Sequence, residues 1–426
     1  MHEPLVRTER LAVVAKAGLR RVSTRLSGLR SRLNISAGRR RHEVLQHRTG
    51  IRRPATTAVV VPDKDATADD VAIAARLLRA YRLADPDQEQ LSGSHRADLW
   101  SDIAEGQQRF SSILLRGDAE ELARCLCNVS RHDASVGITQ GPAEFDRITH
   151  QASYRDFLGL MAKDKLVSLA EAVGAIPVEN PEQGTYGSSL QRDCSELVDG
   201  IGERIGIDIT PPDIDGGLLK LDTGRGLFGE RDANAIYTAW LLKRLLEGRE
   251  QPRVCEIGGG SGRVAYWSHR LGLTSYTIVD LPHVNVVQGY YALKNLSENQ
   301  VSLYGEHRPG EALDRVEVLP THAIADIDSP RFDVALNQDS FPEIHRETVG
   351  EYLDWIGKTC TWLLVSINHE NKPPRHDGAP QLSVPEVIQD VGGLTLAQRW
   401  PYWLRKGYVV ELYRMGEPAK VTRASR

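Results

Sequence analysis

The chain has 426 residues, a formal net charge of −4 and 41% hydrophobic residues, with a mean hydropathy of −0.36. These values argue against a membrane protein, because no run approaches the roughly 18 apolar residues of a spanning helix; we also expect no signal-peptide core. The length exceeds what one hydrophobic core usually supports, so we expect two domains. Five scattered cysteines favour buried thiols in a reducing cytoplasm over a disulfide framework.

The first 54 residues form a basic arm that contains fourteen Lys and Arg and three acids. Apolar residues recur there at near-helical spacing with arginines between them, a pattern typical of a basic amphipathic helix on an anionic membrane surface. The alternatives are a solvated arm or an oligomerisation helix, and we expect a homo-oligomer. Nucleic acid is not an expected partner, because no aromatic residue precedes Tyr81. A Pro- and Thr-rich linker completes residues 1–64.

Residues 65–230 are predicted to form a mainly helical domain. Segments 69–84, 110–129 and 154–174 carry apolar residues three and four positions apart. Gly- and Pro-rich stretches at 177–187 and 206–232 are too long for simple turns, so we predict a layer of loops there. A second domain follows at 231–418, with a short tail at 419–426.

The stretch 254–280 of the second domain has the pattern of a nucleotide-binding βαβ unit. An apolar strand runs into a glycine-rich turn, a helical segment follows, and a second strand ends at Asp280. A dinucleotide fingerprint needs a glycine where Arg263 stands, so that reading does not fit. The spacing E-x-G-x-G-x-G instead resembles motif I of class I S-adenosylmethionine (SAM) methyltransferases. It comprises the residues Glu256, Gly258, Gly260 and Gly262.

This resemblance implies that SAM is the cofactor. Backbone at the glycines would approach the methionine and ribose portion. Glu256 would orient the methionine ammonium group, and Asp280 would hold the ribose hydroxyls. After Asp280 the α/β alternation continues, with a hairpin at 394–403 and 408–415. We therefore predict a seven-stranded, doubly wound, Rossmann-like sheet, with ligands outside the carboxyl ends of its strands.

Two further stretches resemble the sugar O-methyltransferase family of bacterial secondary-metabolite and surface-glycan pathways. They read YTIVDLPHVNVVQGYY at 276–291 and LNQDSFPE at 336–343. This resemblance covers roughly residues 100–415 and implies methyl transfer from SAM to the hydroxyl of a sugar, free or within a glycan, glycolipid or glycosylated natural product.

A sugar hydroxyl is a weak nucleophile, so a general base or a metal should help remove its proton. His345 is a candidate base because histidine titrates near physiological pH. Asp339 and Glu343 are alternatives, although either acid could instead cap the helix that follows. His369 and Glu370, at the end of the next strand, are further candidates.

Two further residues are cofactor candidates. Asn337 lies where the fourth strand ends, and Asp326, a short distance before Phe332, is either an acceptor for the adenine amino group or a solvated loop residue. Mg²⁺ between Asp339 and Glu370 stays an open alternative, and we assign no metal site. Two rival functions also remain open. One is an O-methyltransferase for a phenol or polyketide, and the other is a catalytically silent SAM-fold scaffold held to a membrane or partner by its basic arm.

Overall fold

The computed structural model describes residues 58–85, 106–138, 141–180, 182, 187–216, 219–229, 231–372 and 381–416. The predictions for the basic arm and the tail lie outside these residues. The chain divides into two compact units, Thr56–Val178 with Arg192–Arg426, and Met1–Ala55 with Glu179–Gln191. The first unit holds both sheets and the site described below. In the second, the Glu179 carboxylate accepts hydrogen bonds from Ser188 Oγ and the Ser189 amide, each at 2.6 Å.

The three predicted helical segments are confirmed, and the middle one contains two helices separated at Gly117 and Asp118. Local capping signals set the helix starts: Thr67 and Asp70 form a capping box, and the Asp118 carboxylate accepts the Glu121 amide at 2.9 Å. No helix within the described ranges combines the length and apolar character needed to cross a membrane. The helices are α1 Ala68–Ala84, α2 Gln108–Arg116, α3 Ala119–Leu126, α4 Pro142–His150, α5 Ala152–Ala172, α6 Cys194–Ile205, α7 Asp232–Leu245, α8 Arg263–Arg270, α9 Pro282–Asn295, α10 Arg346–Thr359 and α11 Val384–Val391.

The predicted layer of loops is wrong in part, because it contains two strands. A three-stranded antiparallel sheet joins β1 (Ala58–Val60), β2 (Leu219–Asp222) and β3 (Leu227–Phe228) in that order. β1 itself falls in the segment predicted as a linker. The pairing satisfies backbone groups that a Gly-rich loop would leave to water.

An eight-stranded sheet forms the centre of the larger unit. Its spatial order is β10-β11-β9-β8-β4-β5-β7-β6, with β11 antiparallel to both neighbours and the other strands parallel. This is the Rossmann-like class I methyltransferase fold that the sequence predicts. The chain between Asp280 and Phe332 contributes two strands to the sheet, which gives eight strands rather than the seven predicted. The strands are β4 Arg253–Ile257, β5 Ser275–Asp280, β6 Val301–Leu303, β7 Val316–Pro320, β8 Phe332–Gln338, β9 Cys360–His369, β10 Leu394–Pro401 and β11 Tyr408–Met415.

The parallel strands are buried on both faces, which explains why they read as nearly continuous apolar runs. One core cluster joins residues of β4, β8 and β9 with helices α10 and α11, including Phe332, Phe341 and Ile356 at no more than 2% exposure. The strand order reverses between β4 and β8. Ligands of open α/β sheets bind outside the strand ends at such a switch point.

Candidate active site

A cavity of about 850 Å³ opens at the carboxyl ends of β4, β5 and β8. This size is within the range of small-molecule and cofactor sites. Its lining brings together six residues predicted from sequence: Glu256, Gly258, Gly260, Asp280, Asp339 and Glu343. Of the other predicted site residues, Gly262, Asp326, Asn337 and His345 are not part of its lining.

The glycine turn after β4 follows a path that side chains would obstruct. Gly258 and Gly260 have φ of +77° and +55°, in the left-handed region that favours glycine. A Cβ at Gly258 would lie 2.6 Å from Ser340 Cβ, whereas one at Gly260 would meet no atom within 4 Å. The turn therefore packs tightly against the segment after β8 at one end and leaves its backbone open to the cavity at the other.

Glu256 is a buried carboxylate on the cavity wall, at 2% exposure. Its Oε2 accepts a hydrogen bond from the Tyr276 hydroxyl at 3.0 Å. Burial raises the pKa of Glu256 to about 8, against the opposing effect of the Tyr276 hydrogen bond. The charged form of Glu256 is thus poorly stabilised until a donor or cation enters the cavity.

Asp280 ends β5 and lies 8% exposed beside the glycine turn. Its carboxylate accepts the Leu281 amide at 2.8 Å and Gln288 Nε2 at 2.6 Å. Burial raises the pKa of Asp280 to about 6, although these hydrogen bonds lower it. Glu256 and Asp280 form no ion pair with a Lys or Arg of the described ranges, so neither carboxylate has a cationic partner.

Three of the predicted cofactor-binding residues, Asn337, Gly262 and Asp326, do not line the cavity. The buried Asn337 donates to the Ile257 carbonyl at 3.0 Å and accepts from Asn368 Nδ2 at 3.0 Å, so it joins three strand ends. Because successive strand side chains point to opposite faces, its neighbour Gln338 reaches the cavity. Gly262 is buried at the start of α8. Asp326 is exposed at the end of a 3-10 turn, from which the cavity is lined by Thr321, His322, Ile324 and Ala325 instead.

Asp339 is held firmly where the chain leaves β8. Its carboxylate pairs with Arg405 and accepts a hydrogen bond from the Tyr408 hydroxyl, both on the β10–β11 hairpin. Its amide donates to Asn368 Oδ1 at 3.0 Å. With φ of +57°, Asp339 adopts a left-handed conformation that acidic residues tolerate better than most. Both carboxylate oxygens are engaged, which suits a positioning role better than proton transfer.

Glu343 lies one turn further along and faces the cavity. Within the described ranges no residue donates a hydrogen bond to its carboxylate. Burial raises the pKa of Glu343 to about 7, and the charge of Asp339 adds to this effect, while Arg231 and Arg405 oppose it. A half-buried carboxylate with a pKa near neutrality can accept a proton at physiological pH.

His345 is the N-cap of α10, outside the cavity lining. Its Nδ1 accepts the Glu347 amide at 3.4 Å, so His345 itself caps the helix for which Asp339 and Glu343 were the predicted capping alternatives. Glu370 is bound by Arg399 through contacts of 2.9 and 2.7 Å, and His369 Nδ1 lies 3.0 Å from the Asn371 carbonyl. Asp339 and Glu370 thus face different arginines. Within the described ranges, no three His, Cys, Asp or Glu residues are grouped to bind a metal.

Several cavity residues were absent from the sequence prediction. Arg405 comes from the hairpin turn, Asn234 from α7, Gln338 from β8, and Ile138 from the helical region. The predicted hairpin beside β9 was the one available signal for Arg405, because it placed a loop near the strand ends. No local pattern marks Ile138, which is distant in sequence.

No protein-family model matches the sequence, and no curated protein matches it. Solved structures do. A magnesium protoporphyrin IX methyltransferase from Synechocystis PCC 6803 with bound SAM is 15% identical, over 44% of this chain and 81% of that one, with a TM-score of 0.31. A Burkholderia thailandensis 1,6-didemethyltoxoflavin-N1-methyltransferase with bound S-adenosylhomocysteine is 21% identical, over 43% and 79%, with a TM-score of 0.31. Likeness at this level carries no information about the substrate of this chain.

Proposed function

We propose that this protein is a SAM-dependent O-methyltransferase whose acceptor is the hydroxyl of a sugar. The observation that carries the proposal is one cavity lined by two chemically different groups of residues. The first group comprises the glycine turn, Glu256 and Asp280, on and after β4 and β5. The second comprises Glu343 and the amide side chains of Asn234 and Gln338, on α7 and at and after the end of β8.

The first group fits the cofactor because its two carboxylates can accept hydrogen bonds. Glu256 would accept from the ammonium group of the methionine portion, and Asp280 would accept from the ribose hydroxyls. Both acids are buried without a matching cation, so each gains a partner when such a ligand binds. The open backbone at Gly260 leaves room for close approach. SAM supplies an electrophilic methyl group, and the protein's contribution is alignment of the acceptor.

The second group, Glu343, Asn234 and Gln338, fits a polyol better than a phenol. A carboxylate accepts hydrogen bonds from hydroxyls, and an amide side chain both accepts them from hydroxyls and donates them. Among the described lining residues, Tyr352 and His322 carry the aromatic rings. A pocket for a flat phenol or polyketide is usually rich in aromatic and apolar side chains. The resemblance to sugar O-methyltransferases at 276–291 and 336–343 points the same way.

Glu343 is the general base of the proposed reaction. Its carboxylate accepts the proton of the sugar hydroxyl as the oxygen takes the methyl group. Asp339 acts as a positioning residue, because its contacts with Arg405 and Tyr408 fix the loop that carries Glu343. Its negative charge also raises the pKa of Glu343 toward the operating pH.

Calorimetric titration with SAM and S-adenosylhomocysteine tests the cofactor half. We expect micromolar binding to the wild type, a loss of tenfold or more in Asp280→Ala, on the order of a lost charge-assisted hydrogen bond, and no loss in the matched control Asp326→Ala. Titrations with and without Mg²⁺ test the metal alternative. No binding to the wild type would refute the proposal.

Methyl transfer to a panel of sugars and phenols then tests the acceptor half. Transfer to sugars alone supports the proposal, and transfer to phenols alone supports the rival O-methyltransferase. Tight SAM binding without transfer to any acceptor would favour the scaffold alternative.

A further inference from the structure

The first turn of α7 lines the part of the cavity that is proposed to bind the acceptor. Arg231, Asn234 and Ala235 all line the cavity. Residues three and four positions apart lie on one face of a helix, so this face looks into the site. The small side chain of Ala235 leaves room there for a ligand between the two polar residues.

Arg231 differs from the other arginines of the cavity because its side chain has no acidic partner in the described part of the chain. Arg263 pairs with Asp215 and Asp232, each at 2.7 Å, and Arg405 pairs with Asp339. Arg231 is exposed, and its side chain forms neither a hydrogen bond nor an ion pair with any residue of the described ranges. It lies close enough to Glu343 to lower the pKa of that carboxyl, yet outside ion-pair distance.

A guanidinium group in this position is suited to an oxyanion. Its planar set of N–H donors matches the oxygens of phosphate and carboxylate groups. On the same helix face, Asn234 Oδ1 is buried and has no hydrogen-bond partner within the described structure. A buried acceptor without a donor is costly. A hydroxyl of the molecule bound at Arg231 would supply that donor.

We propose that Arg231 is an oxyanion subsite, and that the acceptor is a sugar bearing a phosphate or carboxylate group. The inference rests on the proposed function and narrows its substrate class. Arg231 binds the anionic group, Asn234 binds a neighbouring hydroxyl, and the reacting hydroxyl faces Glu343.

Calorimetric titration of the full-length protein, loaded with S-adenosylhomocysteine, tests the subsite with three probes: glucose, glucose 6-phosphate and glucuronic acid. We expect at least one anionic sugar to bind about tenfold or more tightly than glucose, the effect of one charge-assisted contact. Arg231→Gln should abolish this preference and Arg231→Lys should keep part of it. Which probe is preferred distinguishes phosphate from carboxylate.

Arg225→Gln is the matched control. Arg225 comes from the same Gly-rich segment and is exposed, but it pairs with Asp199 and is absent from the cavity lining. It should leave the preference unchanged, and affinity for S-adenosylhomocysteine should be unchanged in all three variants.

Two results would overturn the subsite: no preference for either anionic probe, or an equal effect of Arg225→Gln and Arg231→Gln. These results are separable from failure of the proposed function. Methylation of neutral sugars without an anion preference leaves the function standing and removes the subsite. Arg231-dependent binding of an anionic sugar without any methyl transfer leaves the subsite standing and removes the proposed function.

Discussion

Arg263 Nη1 lies 2.7 Å from Asp232 Oδ1, so the residue after the glycine turn is joined to the first residue of α7. Its Nη2 lies 2.7 Å from Asp215 Oδ2, in the segment before β2. The two acids are 1% and 6% exposed at their side chains. One largely buried arginine thus connects the glycine turn, α7 and a loop of the helical region.

Replacement of Arg263 by Leu should strongly destabilise the protein. It would leave Asp215 and Asp232 buried without a counter-charge, and breaking such a pair typically costs about 3–5 kcal/mol. Urea denaturation followed by circular dichroism measures the loss. Arg225→Leu removes an exposed ion pair and should have no measurable effect. Equal stability of the two variants would show that the buried cluster contributes little.

Gly258→Ala should destabilise the protein through a steric contact as well as its backbone conformation. A left-handed alanine costs about 1–2 kcal/mol, and overpacking against Ser340 adds about 1–3 kcal/mol. Gly248→Ala is the control, because its φ is +83° but no atom lies within 4 Å of an added Cβ. Urea denaturation should show the larger loss at Gly258, and Ser340→Gly should restore part of it. Equal losses would contradict the steric contribution.

The sequence predicts the central sheet well because its signals are local. Each buried strand is an apolar run, and the strand, glycine turn, helix and acid at 254–280 follow in order. The three-stranded sheet is different. β3 has two residues, and β2 pairs with β1 from the other end of the helical region. A partner so distant in sequence leaves no periodic pattern near β2.

The candidate site also divides into residues that a local motif predicts and contacts between residues distant in sequence. Glu256, Gly258, Gly260 and Asp280 follow from one motif and line the cavity. Sequence places Asp339 at a strand end but cannot show that Arg405 engages it, because 66 residues separate them.

The stability of the free protein should fall as pH rises from about 4.5 to about 8. Glu256 has an ordinary pKa of 4.5, and burial raises it to about 8 in the folded protein. Between these values the folded protein keeps a proton that the unfolded chain releases, so rising pH favours unfolding. Glu256→Gln cannot titrate and should flatten the profile. Thermal unfolding across this range measures the slope, and an unchanged slope in the variant would assign the pH dependence to other groups.

Binding of S-adenosylhomocysteine should release a proton from Glu256 when its ammonium group stabilises the charged carboxylate. Affinity should therefore rise between about pH 6 and pH 8 in the wild type. Calorimetry in two buffers of different ionisation enthalpy measures the released proton. A pH-independent affinity in the wild type would mean that Glu256 does not contact the ligand as a carboxylate.

The choice of Glu343 rather than His345 as the base is testable through paired variants. Glu343→Gln should lower kcat by about 10²–10⁴-fold, the range for loss of a general base, with little change in SAM affinity. His345→Asn keeps an N-cap side chain and should retain most activity, because His345 lies outside the cavity lining.

The wild-type rate should rise through about pH 7 as Glu343 loses its proton. Asp339→Asn should move that rise to lower pH, because it removes the charge that raises the pKa of Glu343. If Asp339 has only a structural role, the pH at which the rate rises will be the same in Asp339→Asn and the wild type. An inactive His345→Asn together with an active Glu343→Gln would identify His345 as the base instead.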